Sequence, residues 1–339
     1  MGGNALKNIE TRRIDSTEYV QFLDNVRFRV ERLFGKTSFH EIPYYRYKET
    51  FGDMDFVLET DDPNWVTTLL NGFGLLKDKD KWHKNGNVLS FEFDGFQIDS
   101  IHTPSKYVQS SVDYFSYNDL GNLLGRISHK LGVKLGHKGL SLIVRPSDTN
   151  THVLSEIELS TNYRDIFDIL EIDSNLFENG FDSLEEIFNF VRSSKFYNPE
   201  IFLLANRNHT SRIRDRKRNS YNKFLQYIEH DLQSDKKFFQ FESIREHGGY
   251  NLREPYYSEI IVPKYPFVVD MVQKVVDDFN VNQDFKNIFN GTLMRNLTGL
   301  SGKSLGALMS RYKYSVEEKK YWVENPDSFV WQLKKDLIT

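Results

Sequence analysis

The sequence predicts an α+β domain followed by a mostly helical one. Three observations carry that prediction. Strand-like and helix-like patterns alternate as far as about residue 165. A hairpin signature, two alternating runs meeting at Asp94-Gly95, lies inside that stretch. Beyond it, almost every apolar pattern has helical spacing. The expected domains are residues 1–165 and 166–339.

Taken in order, "STEYVQFLDNVRFRVERLF" (Ser16 to Phe34) opens with Ser and Thr cap candidates and continues with helical periodicity. "DMDFVLET" reads as a strand. "DDPNWVTTLLNGFG" reads as a helix with Pro near its first turn and Gly at its end. The hairpin spans Asn87 to Thr103. A helix from Asn118 to Leu131 stops at Gly132, and a Gly-rich turn leads into the strand "LSLIVR". The later segments "NYRDIFDILEI", "FDSLEEIFNFVRSS", "YNKFLQYIEHDL" and "YPFVVDMVQKVVDDF" are helical, and Ser183 with Glu186 makes a capping-box pattern.

Composition limits the function classes. Hydrophobic residues make up 39% of the chain and aromatics 14%, enough for a real core. Cysteine is absent, which excludes disulfides and thiolate metal sites and suits a reducing compartment; a cytoplasmic location is expected. A net charge of −4 excludes a globally basic nucleic-acid coat protein, so polyanion binding must come from local patches. The start, "MGGNALKNIETRRID", has no apolar h-region, and no apolar run is long enough to cross a bilayer, so no membrane partner is expected. Its Met-Gly opening matches a myristoylation start, but ordinary soluble sequence follows and lipidation is not expected.

The chemistry concentrates in acids. Residues two apart on a strand share a face, so Asp53 and Asp55 point together inside an otherwise apolar run. The hairpin strand "FQIDSI" carries a third acid, Asp99, between apolar neighbours. If the two strands are adjacent, three carboxylates converge and repel unless a cation sits among them. Two divalent ions would neutralise them and form the clamp used for in-line phosphoryl transfer. The bland alternative makes Asp53 a turn cap after Gly52 and the other two ordinary edge charges. Glu59 shares the face but sits at the strand end, where water reaches it.

These residues carry a resemblance. "YYRYKETFGDMDFVLETDDP" resembles the first catalytic strand of family-X DNA polymerases of the polymerase β type, within the nucleotidyltransferase superfamily. The likeness continues through "FQIDSIHTPSKYVQSSVDYFSYNDLGNLLGRISHKLGVKLGHKGL" and covers roughly Glu41 to Leu170. It implies a polymerase β-like palm, a mixed sheet flanked by helices. It further implies that Asp53 and Asp55 ligate two Mg²⁺ or Mn²⁺ ions, and that Asp99 binds the catalytic ion and receives the proton of a 3′-hydroxyl. Arg46 falls on an arginine that meets the incoming triphosphate. Tyr114 and Phe115 fall on a turn that touches the nucleotide sugar. Asn122 falls on a residue contacting the incoming nucleotide, and Arg126 on one near the templating position. Asn122 and Arg126, four apart, share a helix face on physical grounds as well.

Departures from the pattern are equally specific. Ile42-Pro43 replaces the family's Gly-Ser, removing an N–H and a hydroxyl from the triphosphate cradle; Gly2-Gly3 could fold back as a substitute. Ser116-Tyr117 replaces Thr-Gly, so a ring falls where the sugar edge is read. No segment resembles the helix-hairpin-helix lyase domain, so gap-filling with 5′-phosphate processing is not expected.

In the second half, "NRNHTSRIRDRKRNSYNKFLQYI" gathers Arg212, Arg214, Arg216, Lys217 and Arg218 beside aromatics. Such a stripe suits a phosphate backbone and unstacked bases, although a charge run can equally be a solvated face. "SGKS" within Asn290 to Ser315 is not a P-loop, because Leu297 sits where the first Gly is required. The segment is similar to a helix start in tRNA CCA-adding enzymes and bacterial poly(A) polymerases, or is simply a tight turn between helices. The expectation is transfer of NMP or dNMP from a nucleoside triphosphate to the 3′-hydroxyl of a nucleic acid, RNA favoured over DNA and without template. The alternatives are a family-X-like DNA polymerase or terminal transferase, and an inactive nucleic-acid-binding protein.

Overall fold

The computed structural model describes residues 5–146, 152–241, 245–247 and 250–338. Gly2-Gly3 lies outside them. Helix α1 (Ser16–Phe34) follows a cap supplied by Asp15, whose carboxylate accepts from the Glu18 N–H at 2.9 Å; neither Ser16 nor Thr17 is the cap. Strands β1 (Phe39–Glu41) and β2 (Asp53–Glu59) follow, then α2 (Trp65–Gly72). Next come β3 (Trp82–Asn85), β4 (Val88–Phe93) and β5 (Phe96–Thr103). The five strands form one sheet in the order β1-β2-β5-β4-β3. β2 and β5 run parallel and the other neighbours are antiparallel, so the sheet is mixed.

The turn between β4 and β5 falls where expected. Asp94 and Gly95 take φ of 50° and 77°, the left-handed pair that a tight hairpin with right-handed strand twist demands.

Alternation along β2 explains which face does what. Met54, Phe56 and Leu58, with Phe96 and Ile98 of β5, face α1 and α2 in one apolar core. The other face carries Asp53, Asp55 and Val57. There Val57 and Ile101 meet Ile42 and Val108 in a small cluster under α3 (Val108–Phe115). Ile42 is therefore a packing residue. The acids lie beyond the helix that covers the rest of their face.

Helix α4 is shorter than expected, Leu120–Lys130, because Tyr117 and Asn118 adopt φ of 56° and 63° and turn the chain before it. A second antiparallel sheet holds β6 (Val133–Gly136), β7 (Gly139–Val144) and β8 (Ser155–Ser160) in chain order. The region after it is mainly helical: α5 (Leu184–Arg192), α6 (His209–Arg216), α7 (Asn219–Tyr227) and α8 (Val268–Ile288). At α5 the Ser183 hydroxyl accepts from the Glu186 N–H, but Glu186 returns to the N–H of Asp182, one residue early. A two-stranded hairpin, Arg245–His247 with Tyr250–Glu254, interrupts the helices.

One hydrophobic core runs from Tyr117 to Val272, so the expected division at residue 165 falls inside a continuous core. The four last helices, Gly291–Thr298, Gly302–Met309, Val316–Glu324 and Pro326–Ile338, close a separate core around Phe285, Met294 and Phe329. The "SGKS" segment opens the second of them, with Ser301 at its N-cap and Gly302 to Ser304 in its first turn, after a left-handed Gly299 at φ of 70° ends the first. Among the described residues no helix is long and apolar enough to cross a membrane.

Candidate metal and nucleotide site

Parallel pairing of β2 with β5 sets Asp55 directly opposite Asp99 and Asp53 opposite Gln97. One carboxylate oxygen from each of Asp53, Asp55 and Asp99 lies within 4.8 Å of the others. The expected convergence is present, and it is expensive. Asp99 is fully buried and its Oδ2 has no hydrogen-bond partner. Its Oδ1 accepts from Gln97 Nε2 at 3.0 Å. Gln97 is itself oriented, because its Oε1 accepts from the backbone N–H of Ala5 at 3.1 Å. Burial first, then the charges of Asp55 and Asp53, push the Asp99 carboxyl up to about 8. Burial also raises Asp55, helped by Asp53 and opposed by Lys48 and Arg218.

A raised carboxyl pKa means that the folded chain holds a proton the unfolded chain releases. Stability from this group is thus highest at acid pH and falls as pH climbs from about 4 toward 8. Asp99→Asn removes that titration while keeping the side-chain shape. In EDTA at pH 8 the variant is expected to melt higher than the parent, and the difference should vanish near pH 4. Melting curves across pH check this; a lower melting temperature for the variant at pH 8 would contradict it.

Two neighbours escaped the sequence reading. Lys48 sits 4.3 Å from the Phe51 ring centroid, and burial lowers its pKa against the pull of Asp53 and Asp55. Gln97 lies two residues before Asp99, hence on the same face; that spacing was the available signal.

The remaining expected residues are distributed as follows. Tyr114 and Phe115 form the last turn of α3, their rings nearly perpendicular with centroids 5.1 Å apart. Gly121 lets α4 press onto that turn, since a Cβ there would overlap the Tyr114 carbonyl oxygen. Gly121→Ala is expected to cost about 1–3 kcal/mol, read from the denaturation midpoint. Asn122 and Arg126 share a half-buried face of α4, with Arg126 Nη2 donating to Asn122 Oδ1 at 3.2 Å. Arg46 is spent on Asp182 and the carbonyl of Asn179, far along the chain. Tyr117 does not stand at a sugar edge. Its ring packs edge-on against Phe177 and Phe181, at 5.4 and 4.8 Å.

The basic run divides. Arg214 Nη2 donates to Asn122 Oδ1 at 3.1 Å, and Arg218 pairs with Asp119, whose other oxygen accepts from Ser220 Oγ at 2.8 Å. Asp215, fully buried, accepts from Arg126 at 2.9 Å and lies 3.2 Å from Arg214 and 3.3 Å from Arg207. Arg212 and Arg216, four apart on α6, share a face away from Arg214, and Arg216 and Lys217 are exposed.

No family model matches the chain, and no curated protein matches it.

Proposed function

We propose that this chain is a divalent-metal-dependent nucleotidyltransferase with a polymerase β-like palm, adding nucleotides to the 3′-end of a nucleic acid. One observation carries the reading: three carboxylates converge on one face of the sheet, one of them with a buried oxygen that has no partner. Such a donor set suits Mg²⁺ or Mn²⁺, hard ions that take oxygen ligands.

Asp53, Asp55 and Asp99 would hold the ions, which supply charge neutralisation at the transferring phosphate. Asp99, ionised once cations among the acids offset the repulsion that otherwise favours its protonated form, would accept the 3′-hydroxyl proton at Oδ2 as the new bond to the α-phosphorus forms and pyrophosphate leaves. Gln97 keeps the Asp99 carboxylate turned toward its two neighbours. Tyr114, Phe115 and Asn122 would contact the incoming nucleotide, while Arg212, Arg216 and Lys217 offer a phosphate-backbone contact. RNA is the favoured acceptor, without template; a DNA polymerase or terminal transferase is the neighbouring reading.

A second reading, nucleic-acid binding without turnover, is favoured by Ile42, which packs in the core where the family has a phosphate-contacting loop. Incubation with labelled NTPs or dNTPs, Mg²⁺ or Mn²⁺, and tRNA or single-stranded DNA separates the two. Extension that Asp53→Ala abolishes supports transfer. No extension under any combination favours binding alone.

A further inference from the structure

Ile42-Pro43 stands where the resemblance places a phosphate cradle, and Ile42 is packed in the core; a cluster of cations lies on the helices that follow. Arg126 on α4 and Arg214 on α6 both donate to the same Asn122 oxygen, so two guanidinium groups are fixed side by side. Arg218 stands beside them, paired with Asp119 at the start of α4. Helix α4 in turn presses through Gly121 onto Tyr114 at the end of α3, and α3 covers Val57 on the strand that carries Asp53 and Asp55. The three arginines meet two carboxylates, Asp119 and Asp215, leaving an excess of positive charge. Asn122 Nδ2 adds a buried donor without a partner.

We infer that Arg214, Arg218 and Asn122 form a polyphosphate-binding site for the incoming nucleoside triphosphate, with Asp119 as an internal anion that the phosphates displace and Arg126, enclosed against Asp215, holding Asn122 in place. This rests on the nucleotidyl-transfer reading and deepens it. Guanidinium forks match phosphate oxygens, and their charge-assisted bonds are roughly twice as strong as neutral ones. The Asp119 carboxylate occupies Arg218 much as a phosphate oxygen does, and exchange for a more highly charged ligand releases it. The basic run thus serves two ligands. Arg214 and Arg218 belong to the nucleotide, and Arg212, Arg216 and Lys217 to the nucleic acid.

Isothermal titration of the full chain with inorganic tripolyphosphate and with ATP, each in Mg²⁺, tests the assignment. The parent is expected to bind both, and Arg214→Gln and Arg218→Gln should each weaken both by roughly ten-fold. Lys223→Gln, exposed on α7, removes a charge elsewhere and should change neither. Asp119→Asn frees Arg218 without removing a cation and is expected to tighten tripolyphosphate several-fold. That variant keeps the test decisive if an arginine variant fails to fold. Undiminished binding by Arg218→Gln, or unchanged or weaker binding by Asp119→Asn, overturns the site while nucleotidyl transfer stands. A parent that binds no ATP overturns both.

Discussion

Asp99→Asn is expected to lower 3′-extension by at least about a thousand-fold, the combined loss of a proton acceptor and of a ligand for charge neutralisation. The substitution is nearly isosteric. Asparagine still offers Gln97 an oxygen, so the hydrogen bond that orients the side chain survives. What disappears is the negative charge, and the amide has no capacity to accept the 3′-hydroxyl proton. The same variant is expected to be more stable than the parent in EDTA at pH 8. Loss of activity with gain of stability is the signature of a group kept for chemistry, because a buried like-charged carboxylate is a liability to the fold. Steady-state extension with the parent and variant, at matched Mn²⁺, checks the first half. Near-parental activity would remove Asp99 from the reaction.

Asp215→Ala is expected to give the largest loss of stability, about 3–5 kcal/mol, the usual result of stranding buried charges by deleting their partner. Asp215 is fully buried and meets arginines from three places, Arg126 of α4, Arg207 before α6, and Arg214 within it. Arg126 and Arg207 are themselves largely enclosed, with side chains 12% and 11% exposed, so water cannot replace the lost carboxylate. The junction between α4 and α6 should loosen, and the thermal midpoint should fall by roughly ten degrees. A change of less than a degree would mean that the arginines reach solvent more easily than their burial indicates. Conservative Asp215→Asn should fall between the two, since it keeps acceptors but not the charge.

The acid triad was legible because it depends on short-range rules. Period-two alternation puts Asp53 and Asp55 on one face, and an Asp-Gly turn defines the strand that carries Asp99. Only the adjacency of β2 and β5 was not local, and the triad's own chemistry suggested it. The basic run was not legible in the same way. Arg214 and Arg218 find their partners Asn122 and Asp119 at separations of 92 and 99 residues, and a charge run carries no record of such partners. Tyr117 misled for a related reason. Its left-handed backbone turns the ring into the core rather than toward a ligand, and nothing in Ser-Tyr-Asn announces that. The expected domain division at residue 165 followed the change from strand to helix patterns. Tyr163, Phe167 and Phe190 pack across it, so a change of secondary structure did not coincide with a change of core.

The central claim is that Asp53, Asp55 and Asp99 together hold divalent ions in the presence of a nucleotide. Diffraction from crystals soaked with Mn²⁺ and a non-hydrolysable nucleoside triphosphate, recorded at the manganese edge, tests it directly. The account predicts anomalous density among the three carboxylates, lost in Asp53→Ala. Nucleotide bound in the crystal with no manganese at the triad would contradict it.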